Sequence, residues 1–419
     1  MHIVQRSEEI SPQRPSLAAV APAVRQRPGV LVVGGDHPGL AVARSLGQRG
    51  IPVWILEDEF CISNLSRYAS RVIRVADILD ERATVDAVLS IGRRYRLNGW
   101  ILIPTRDETV AALSRNRDEL AEVFTVTTGE WECIRWAWDK KKTYKLAEHL
   151  GIPCPNTFHP ASAADLPDLT SRLPLAIKPA IKENFFYATG AKAWRANTPE
   201  QLKRLYERAA RQIRPEEILL QEIIPGGGLE QYSWCGFANA GKPHSTLCAR
   251  RLRQHPREFG RAATYVETVD APAIEELSER FIGALSYDGL IEIEYKRDAR
   301  DGEYKLLDAN ARAWGFHGLG AACGIDFSWL LYAHFCGIPT TPMRAPAGKG
   351  WLRLLTDIPT AISDLACGNL TFSEYFRSLR ATATESVFDW SDPLPWAAEF
   401  AMLPISILKK YPLLSHKNA

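Results

Sequence analysis

The stretch Gly289–Arg312, GLIEIEYKRDARDGEYKLLDANAR, constrains the fold more than any other part of the chain. Ile291, Ile293 and Tyr295 alternate with Glu292, Glu294 and Lys296. That is the period of two expected of a half-buried strand. Asp298–Gly302 is polar and closes on Asp-Gly, a turn signal. The return run alternates again and places Leu306, Asp308, Asn310 and Arg312 on one face. Pairing the two runs as a hairpin sets Glu292 or Glu294 beside Asp308 and Asn310. Hard oxygen donors of this kind suit Mg²⁺, which bridges one or two carboxylates to substrate phosphates. An Arg just beyond them suits a phosphate, because its planar fork binds two oxygens at once. The alternative is an amphipathic surface hairpin with solvated charges.

Length and charge narrow the setting. A chain of 419 residues accommodates two to four domains. Its 51 Lys and Arg against 49 Asp and Glu leave a net charge of +2, without the basic excess of a nucleic-acid binder. None of the 8 Cys forms a CxxC pair, which argues against a zinc framework or disulfide scaffold and for a reducing cytoplasm. No apolar run is long enough to span a bilayer.

Residues 1–28 carry several Pro and Arg with little periodicity and read as a mobile tail. Val30–Val33, a helix up to Gly50 and Val53–Leu56 make a βαβ unit. A dinucleotide fingerprint needs Gly where Asp36 stands, so a Rossmann-like scaffold without a dinucleotide fits better. Further strands are expected around Val72–Val75, Trp100–Pro104 and Val123–Val126, with helices at Glu81–Tyr95 and Asp107–Glu119. Ser66-Arg67-Tyr68 and Thr105-Arg106-Asp107-Glu108 fall in loops at strand ends, where open parallel sheets bind ligands. Asp107 equally suits a helix cap.

A helix over Asp139–Leu150 stops at Gly151 and begins with Lys140, Lys141 and Lys142, against its own dipole. A nearby anion would offset that cost. Leu175–Lys178 reads as a strand, Asn184–Gly190 as a mobile loop, Lys192–Trp194 as a strand and Pro199–Gln212 as a helix. Strand, loop, strand with a Lys at each strand resembles a lid over phosphates, although no Walker loop occurs. Glu217–Ile224 is strand-like and runs into Pro225-Gly226, with Glu230 just after. Arg250, Arg251 and Arg253, with Arg257 and Arg261, could bind a carboxylate or phosphate. His317 follows the hairpin closely and suits either a substrate contact or a structural role. The apolar segment Trp396–Leu408, followed by Lys409-Lys410, suits docking onto the protein's own core or a peripheral membrane contact.

Taken in order, these features resemble the ATP-grasp superfamily of carboxylate–amine ligases. The resemblance rests on the Rossmann-like start, Asp139-Lys140 before Gly151-Ile152-Pro153, Lys178-Pro179, Gln221-Glu222-Ile223-Ile224-Pro225-Gly226, Glu294, and Asp308-Ala309-Asn310-Ala311-Arg312. It covers roughly 29–340 and is closest to the D-aspartate ligase-like predicted carboligases, through Thr264–Thr268 and Asp392-Pro393. It implies an α/β ATP-grasp fold: a tail over 1–28, a Rossmann-like domain over 29–130, a small α+β lid subdomain over 131–218, a larger α+β lobe with the Mg²⁺-ATP site over 219–342, and a C-terminal extension over 343–419.

The resemblance also implies site residues. Lys140 and Lys178, with Lys192 as a second lid lysine, would hold ATP phosphates. Glu222, Ile223 and Ile224 would meet adenine and Glu230 the ribose. Glu294, Asp308 and Asn310 would bind Mg²⁺. Arg312, with Arg251 and Arg253, would steady the transferred group. The usual motif is Glu-x-Asn-Pro-Arg, whereas here Asp308 replaces the Glu and Ala311 the Pro. The implied activity is a cytoplasmic, ADP-forming ligase that joins a small-molecule carboxylate to an amine through an acyl phosphate, with an amino acid as one partner. An enol or bicarbonate as the phosphorylated group, an inactive nucleotide-binding regulator, and a homodimer remain open alternatives.

Overall fold

The computed structural model describes residues 27–410, apart from Gly227, Leu229 and Arg261, and only the backbone of 403–410. The expected mobile tail therefore lies almost wholly outside the described residues.

The first unit is a parallel sheet of β1 (Val30–Val33), β2 (Val53–Glu57), β3 (Arg71–Arg74), β4 (Ile101–Pro104) and β5 (Thr125–Val126), in the order β3-β2-β1-β4-β5. The helices between them are α1 (His37–Gly47), α2 (Glu81–Tyr95), α3 (Asp107–Arg115) and α4 (Arg117–Ala121). β1 and β4 are neighbours although a whole crossover separates them, so the carboxyl ends of these strands open a crevice. Gly34 leaves β1 at φ +114, and a Cβ there would stand 2.2 Å from Thr105 Oγ1 at the end of β4. Only glycine lets the chain turn there and enter α1.

α5 (Trp131–Trp138) and α6 (Lys140–His149) lead into the second unit. Asp139 caps α6, its carboxylate accepting from Lys141 N at 2.9 Å. β6 (Thr157–Phe158), β7 (Leu175–Pro179), β8 (Trp194–Ala196) and β9 (Ile218–Glu222) form an antiparallel sheet in the order β6-β9-β7-β8, covered by α7 (Lys182–Thr189) and α8 (Pro199–Ala210). The expected mobile loop over Asn184–Gly190 is instead most of α7, and the strand expected from Lys192 begins at Trp194. Aromatic residues are weak helix formers, but packing overrides propensity. Phe185 is fully buried against Trp194, ring to ring at 4.7 Å, and Gly190 ends the helix at φ +69.

The third unit is a seven-stranded sheet. It comprises β10 (Gln231–Asn239), β11 (Lys242–His255), β12 (Ala262–Thr268), β13 (Gly289–Arg297) and β14 (Tyr304–Asn310), with β15 (Gly350–Leu352) and β16 (Thr382–Glu385) at the far edge. Its helices are α9 (Pro272–Ala284), α10 (Leu319–Ala322), α11 (Phe327–Phe335), α12 (Leu354–Ala366), α13 (Phe372–Ala381) and α14 (Leu394–Lys410). One continuous core joins this sheet to the first. It runs from Val32, Ile55 and Ile103 through Phe327 and Leu331 to Phe237, Leu247 and Val266.

The C-terminal segment turns back on the molecule. Asp392 accepts from Arg44 Nε at 3.0 Å, Ser66 Oγ at 2.7 Å and Arg67 N at 3.0 Å. Ser66-Arg67-Tyr68 thus holds the tail and not a substrate. Among the described residues no helix is long and apolar enough to cross a membrane.

Candidate active site

β13 and β14 pair as the expected hairpin, with Glu292 opposite Asn310 and Glu294 opposite Asp308. The alternation breaks at one point. A bulge at Leu307 pairs Leu306 with Tyr295 and turns Leu306 into the core, off the face that carries Asp308 and Asn310. The polar face is closely wired. Asn310 Nδ2 donates to Glu292 Oε2 at 3.2 Å and to Glu294 Oε1 at 3.1 Å. Glu292 Oε1 accepts from Ser233 Oγ at 2.9 Å. Arg251 Nη2 meets Glu294 Oε2 at 3.3 Å, and Lys140 Nζ meets Asp308 Oδ1 at 2.5 Å. The shorter Asp308 therefore still reaches its lysine.

Electrostatics separates the two glutamates. Burial, then the neighbouring Glu294 charge, pushes the Glu292 carboxyl up to about 7. Burial would raise Glu294 too, but Arg251 and Lys192 outweigh it and hold Glu294 down to about 2. Burial and Lys140 lower the Lys178 ammonium to about 7, against the pull of Asp308 and Glu294. Burial likewise lowers Lys192 to about 8.

Two cavities meet here. The first, of about 550 Å³, runs between the second and third units. It is lined by Lys140, Lys178, Lys192, Glu222, Ile223 and Ile224, among others. The second, of about 540 Å³, opens toward the carboxyl ends of the parallel strands and is lined by Asp36, Arg106, Asp107, Lys182, Asn310 and Arg312, among others. Lys192, Arg251, Glu294 and Asp308 line both. Arg251 is nine-tenths buried, yet its Nε has no hydrogen-bond partner.

Most of the anticipated residues come together around this junction, but Arg250, Arg253, Glu230 and His317 do not. Arg253 does not reach it. Strict alternation would put Arg253 beside Arg251, but a bulge at Leu252 pairs Arg251 with Val266 and Arg253 with Tyr265, which reverses the face. Arg253 forms a buried fork with Asp357 of α12 at 2.8 and 2.9 Å and lies over the Tyr265 ring. Glu230 lines neither cavity, and its carboxylate accepts from Arg250 at 3.1 Å across the β10–β11 pair. The ribose role implied for it finds no support in this arrangement. His317 is buried, with Nε2 2.9 Å from Ser328 Oγ, and is structural.

The site also contains groups that sequence reasoning left out or left undecided. Asp107, the first residue of α3, forks with Arg312 at 2.5 and 3.0 Å and meets Lys182 Nζ at 2.5 Å. Burial would raise its carboxyl, but those two cations keep it well below the ordinary carboxylate range. The strand-end position of Thr105–Glu108 was the one signal for it. Lys182 carried no signal at all, because the loop expected beside it is a helix that leans on α3. Tyr187 OH of that helix donates to Glu108 at 2.7 Å.

The donor set fits a magnesium ion. Among the described residues no three His, Cys, Asp or Glu side chains are grouped as a ready-made cage. Mg²⁺ does not need one, since it keeps waters and uses one or two carboxylates with substrate phosphates. Glu294 and Asp308 line both cavities and Asn310 lies beside Glu294, so two carboxylates and a carboxamide are available there.

No protein-family model matches the chain. A D-aspartate ligase of Enterococcus faecium (strain Aus0004) is 23% identical over 227 residues, 51% of this chain and 53% of that protein. The chain thus spans about half the length of this curated relative. Among solved structures, an L-amino acid ligase from Bacillus licheniformis superposes with TM-score 0.58 at 16% identity, covering 74% of each chain. The biotin carboxylase domain of the Hydrogenobacter thermophilus 2-oxoglutarate carboxylase, solved with MgADP, gives TM-score 0.61 at 15% identity over 78% of this chain and 74% of that one. N5-carboxyaminoimidazole synthetase from Staphylococcus aureus gives 0.57 at 13% identity over 77% and 80%. With the lobes and the junction described above, these likenesses show that the chain has the ATP-grasp fold.

Proposed function

We propose that the protein is an ADP-forming ligase that activates a carboxylate in one cavity and delivers an amine to it from the other. The observation that carries this reading is the junction of two cavities at Lys192, Arg251, Glu294 and Asp308. The 550 Å³ cavity takes the nucleotide: Glu222–Ile224, at the end of β9, meet the base, while Lys140, Lys178 and Lys192 face the phosphates. Glu294, Asp308 and Asn310 hold Mg²⁺, which when bound offsets phosphate charge that would otherwise repel a carboxylate. Arg312, fixed by Asp107, and Arg251, with its unpartnered Nε, stabilise charge on the transferred group. Phosphoryl transfer asks mainly for such positioning and charge stabilisation. Asp107 also ties Arg312 to the first unit, and with Lys182 and the Tyr187–Glu108 contact it keeps α7 over the junction, where it excludes water. Similarity to a D-aspartate ligase and an L-amino acid ligase supports an amino acid as one substrate.

The test is nucleotide product analysis, with Mg²⁺-ATP and pooled amino acids of both hands as carboxylates and amines. ADP and phosphate with a new condensed mass are expected. AMP and pyrophosphate would replace this reading with adenylation.

A further inference from the structure

An amine arrives at neutral pH mainly as an ammonium ion, which cannot attack an acyl carbon until it gives up a proton. Nine carboxylates line the 540 Å³ cavity. Five are engaged by neighbouring side chains: Asp107 by Arg312 and Lys182, Asp308 by Lys140, Glu294 by Arg251 and Asn310, Glu292 by Ser233 and Asn310, and Glu108 by Tyr187. Three retain a buried oxygen with no hydrogen-bond partner: Asp36 Oδ1, Asp58 Oδ1 and Glu183 Oε2. Asp36 and Asp58 lie beside Arg106, at 4.0 and 3.7 Å, share its charge, and do not line the crevice that holds Lys140, Asp308 and Asn310. Glu183 is placed differently. It is the second residue of α7 and lines both this cavity and the narrow crevice beneath it that contains Lys140, Asp308 and Asn310.

We propose that Glu183 is the proton acceptor for the amine substrate, a role that rests on the ligase reading above. Its free Oε2 takes one proton from the ammonium nitrogen. The nitrogen lone pair then forms the C–N bond at the acyl carbon. The C–O bond to phosphate breaks with its electron pair, and the second nitrogen proton leaves with the phosphate. The product is a secondary amide, and Glu183 returns its proton to solvent as the products depart.

The surroundings tune Glu183 for this exchange. Asp107 and Glu108 face it from α3, Lys182 flanks it on α7, and Lys140, Asp308 and Arg312 stand across the two cavities. Burial, then the Asp107 charge, lifts its carboxyl to about 7 against the opposing pull of Lys182. A base near the working pH is both available and effective.

Hydroxylamine separates the two ideas, because it is largely unprotonated at neutral pH and needs no base. Full-length protein is given Mg²⁺-ATP, hydroxylamine, and the common L-amino acids and their D-enantiomers as carboxylates. The carboxylates that yield hydroxamate are then paired with the same amino acids as amines. In E183Q the amide rate should fall about 100-fold while the hydroxamate rate stays within about threefold of wild type. The rise in amide rate as pH increases through about 7 should vanish with it. Glu183→Asp, which keeps the carboxylate one methylene shorter, should restore part of the amide rate. Equal loss of both rates, or loss of neither, would overturn the role of Glu183 while leaving the ligase reading intact. A wild-type protein that forms no hydroxamate with any of these carboxylates would overturn the ligase reading, and the proton acceptor with it.

Discussion

The two cavities that meet at Lys192, Arg251, Glu294 and Asp308 are similar in size but assembled differently. The nucleotide-side cavity is walled mainly by β7, β9, β11, β13 and β14, with Lys140 from α6, and most of its residues sit in short motifs on those strands or at their ends. The other cavity borrows Asp36, Arg106 and Asp107 from the ends of the parallel strands and Lys182 and Glu183 from α7. These come from three separate places, the ends of β1 and β4 and the start of α7, and only tertiary contact brings them together. A strand motif announces itself through periodicity, whereas a site gathered from strand ends leaves almost no local trace.

This contrast can be broken or sharpened by substitution. The largest effect is expected at the shared hairpin. Asn310→Ala and Glu294→Gln should each lower turnover by about 10³-fold while thermal melting shows the fold intact. Unchanged turnover in either would remove the metal assignment. Next come two arginines two positions apart on one strand. Arg253→Ala leaves Asp357 buried without its partner and should cost about 3–5 kcal/mol in denaturant unfolding, with KM unchanged wherever the protein stays folded. Arg251→Ala should do the reverse, with a modest stability change but a KM for the second substrate raised about tenfold, more than the KM for ATP. If the two variants behaved alike, the bulge at Leu252 would not be directing them to opposite faces.

The smallest effect concerns pH. Lys178, held near 7 by burial and Lys140, must be charged to attract phosphate. Its protonated form predominates below pH 7 and is lost above it, so ATP affinity should decline by up to about tenfold per pH unit above that point. Nucleotide binding at pH 8 should also take up a proton, which calorimetry in buffers of different ionisation enthalpy would detect. Lys178→Met should weaken binding and remove the dependence. A wild-type affinity that stays flat from pH 6.5 to 8.5 would show that Lys178 does not contact the phosphates.

The same contrast explains what was legible in the sequence. The alternation in Gly289–Arg312 carried the hairpin and the closeness of its glutamates to Asp308 and Asn310, but not which glutamate faces which. Gly151, which ends α6 at φ +64, made that helix readable to within a residue, and α2 spans Glu81–Tyr95 as expected. Bulges at Leu252 and Leu307 were invisible, because a strict period of two cannot register an extra residue. Arg253 and Leu306 were misplaced for that reason alone. The aromatic residues of α7 are poor local helix formers and point to a loop, whereas burial of Phe185 decides for the helix. Asp107 was half-read as a cap, since nothing within α3 reveals that Arg312 and Lys182 converge on it.

The most direct test of this account is a crystal structure with Mg²⁺ and an ATP analogue that cannot be cleaved between its β- and γ-phosphates. The base should lie beside Glu222–Ile224 and the terminal phosphate should reach Lys192 and Arg251, with metal between it and Glu294 or Asp308. The Asp36 end of the second cavity should remain clear for the amine. A nucleotide found instead at the carboxyl ends of β1 and β4, with its phosphates at Gly34-Gly35, would contradict the assignment of both cavities.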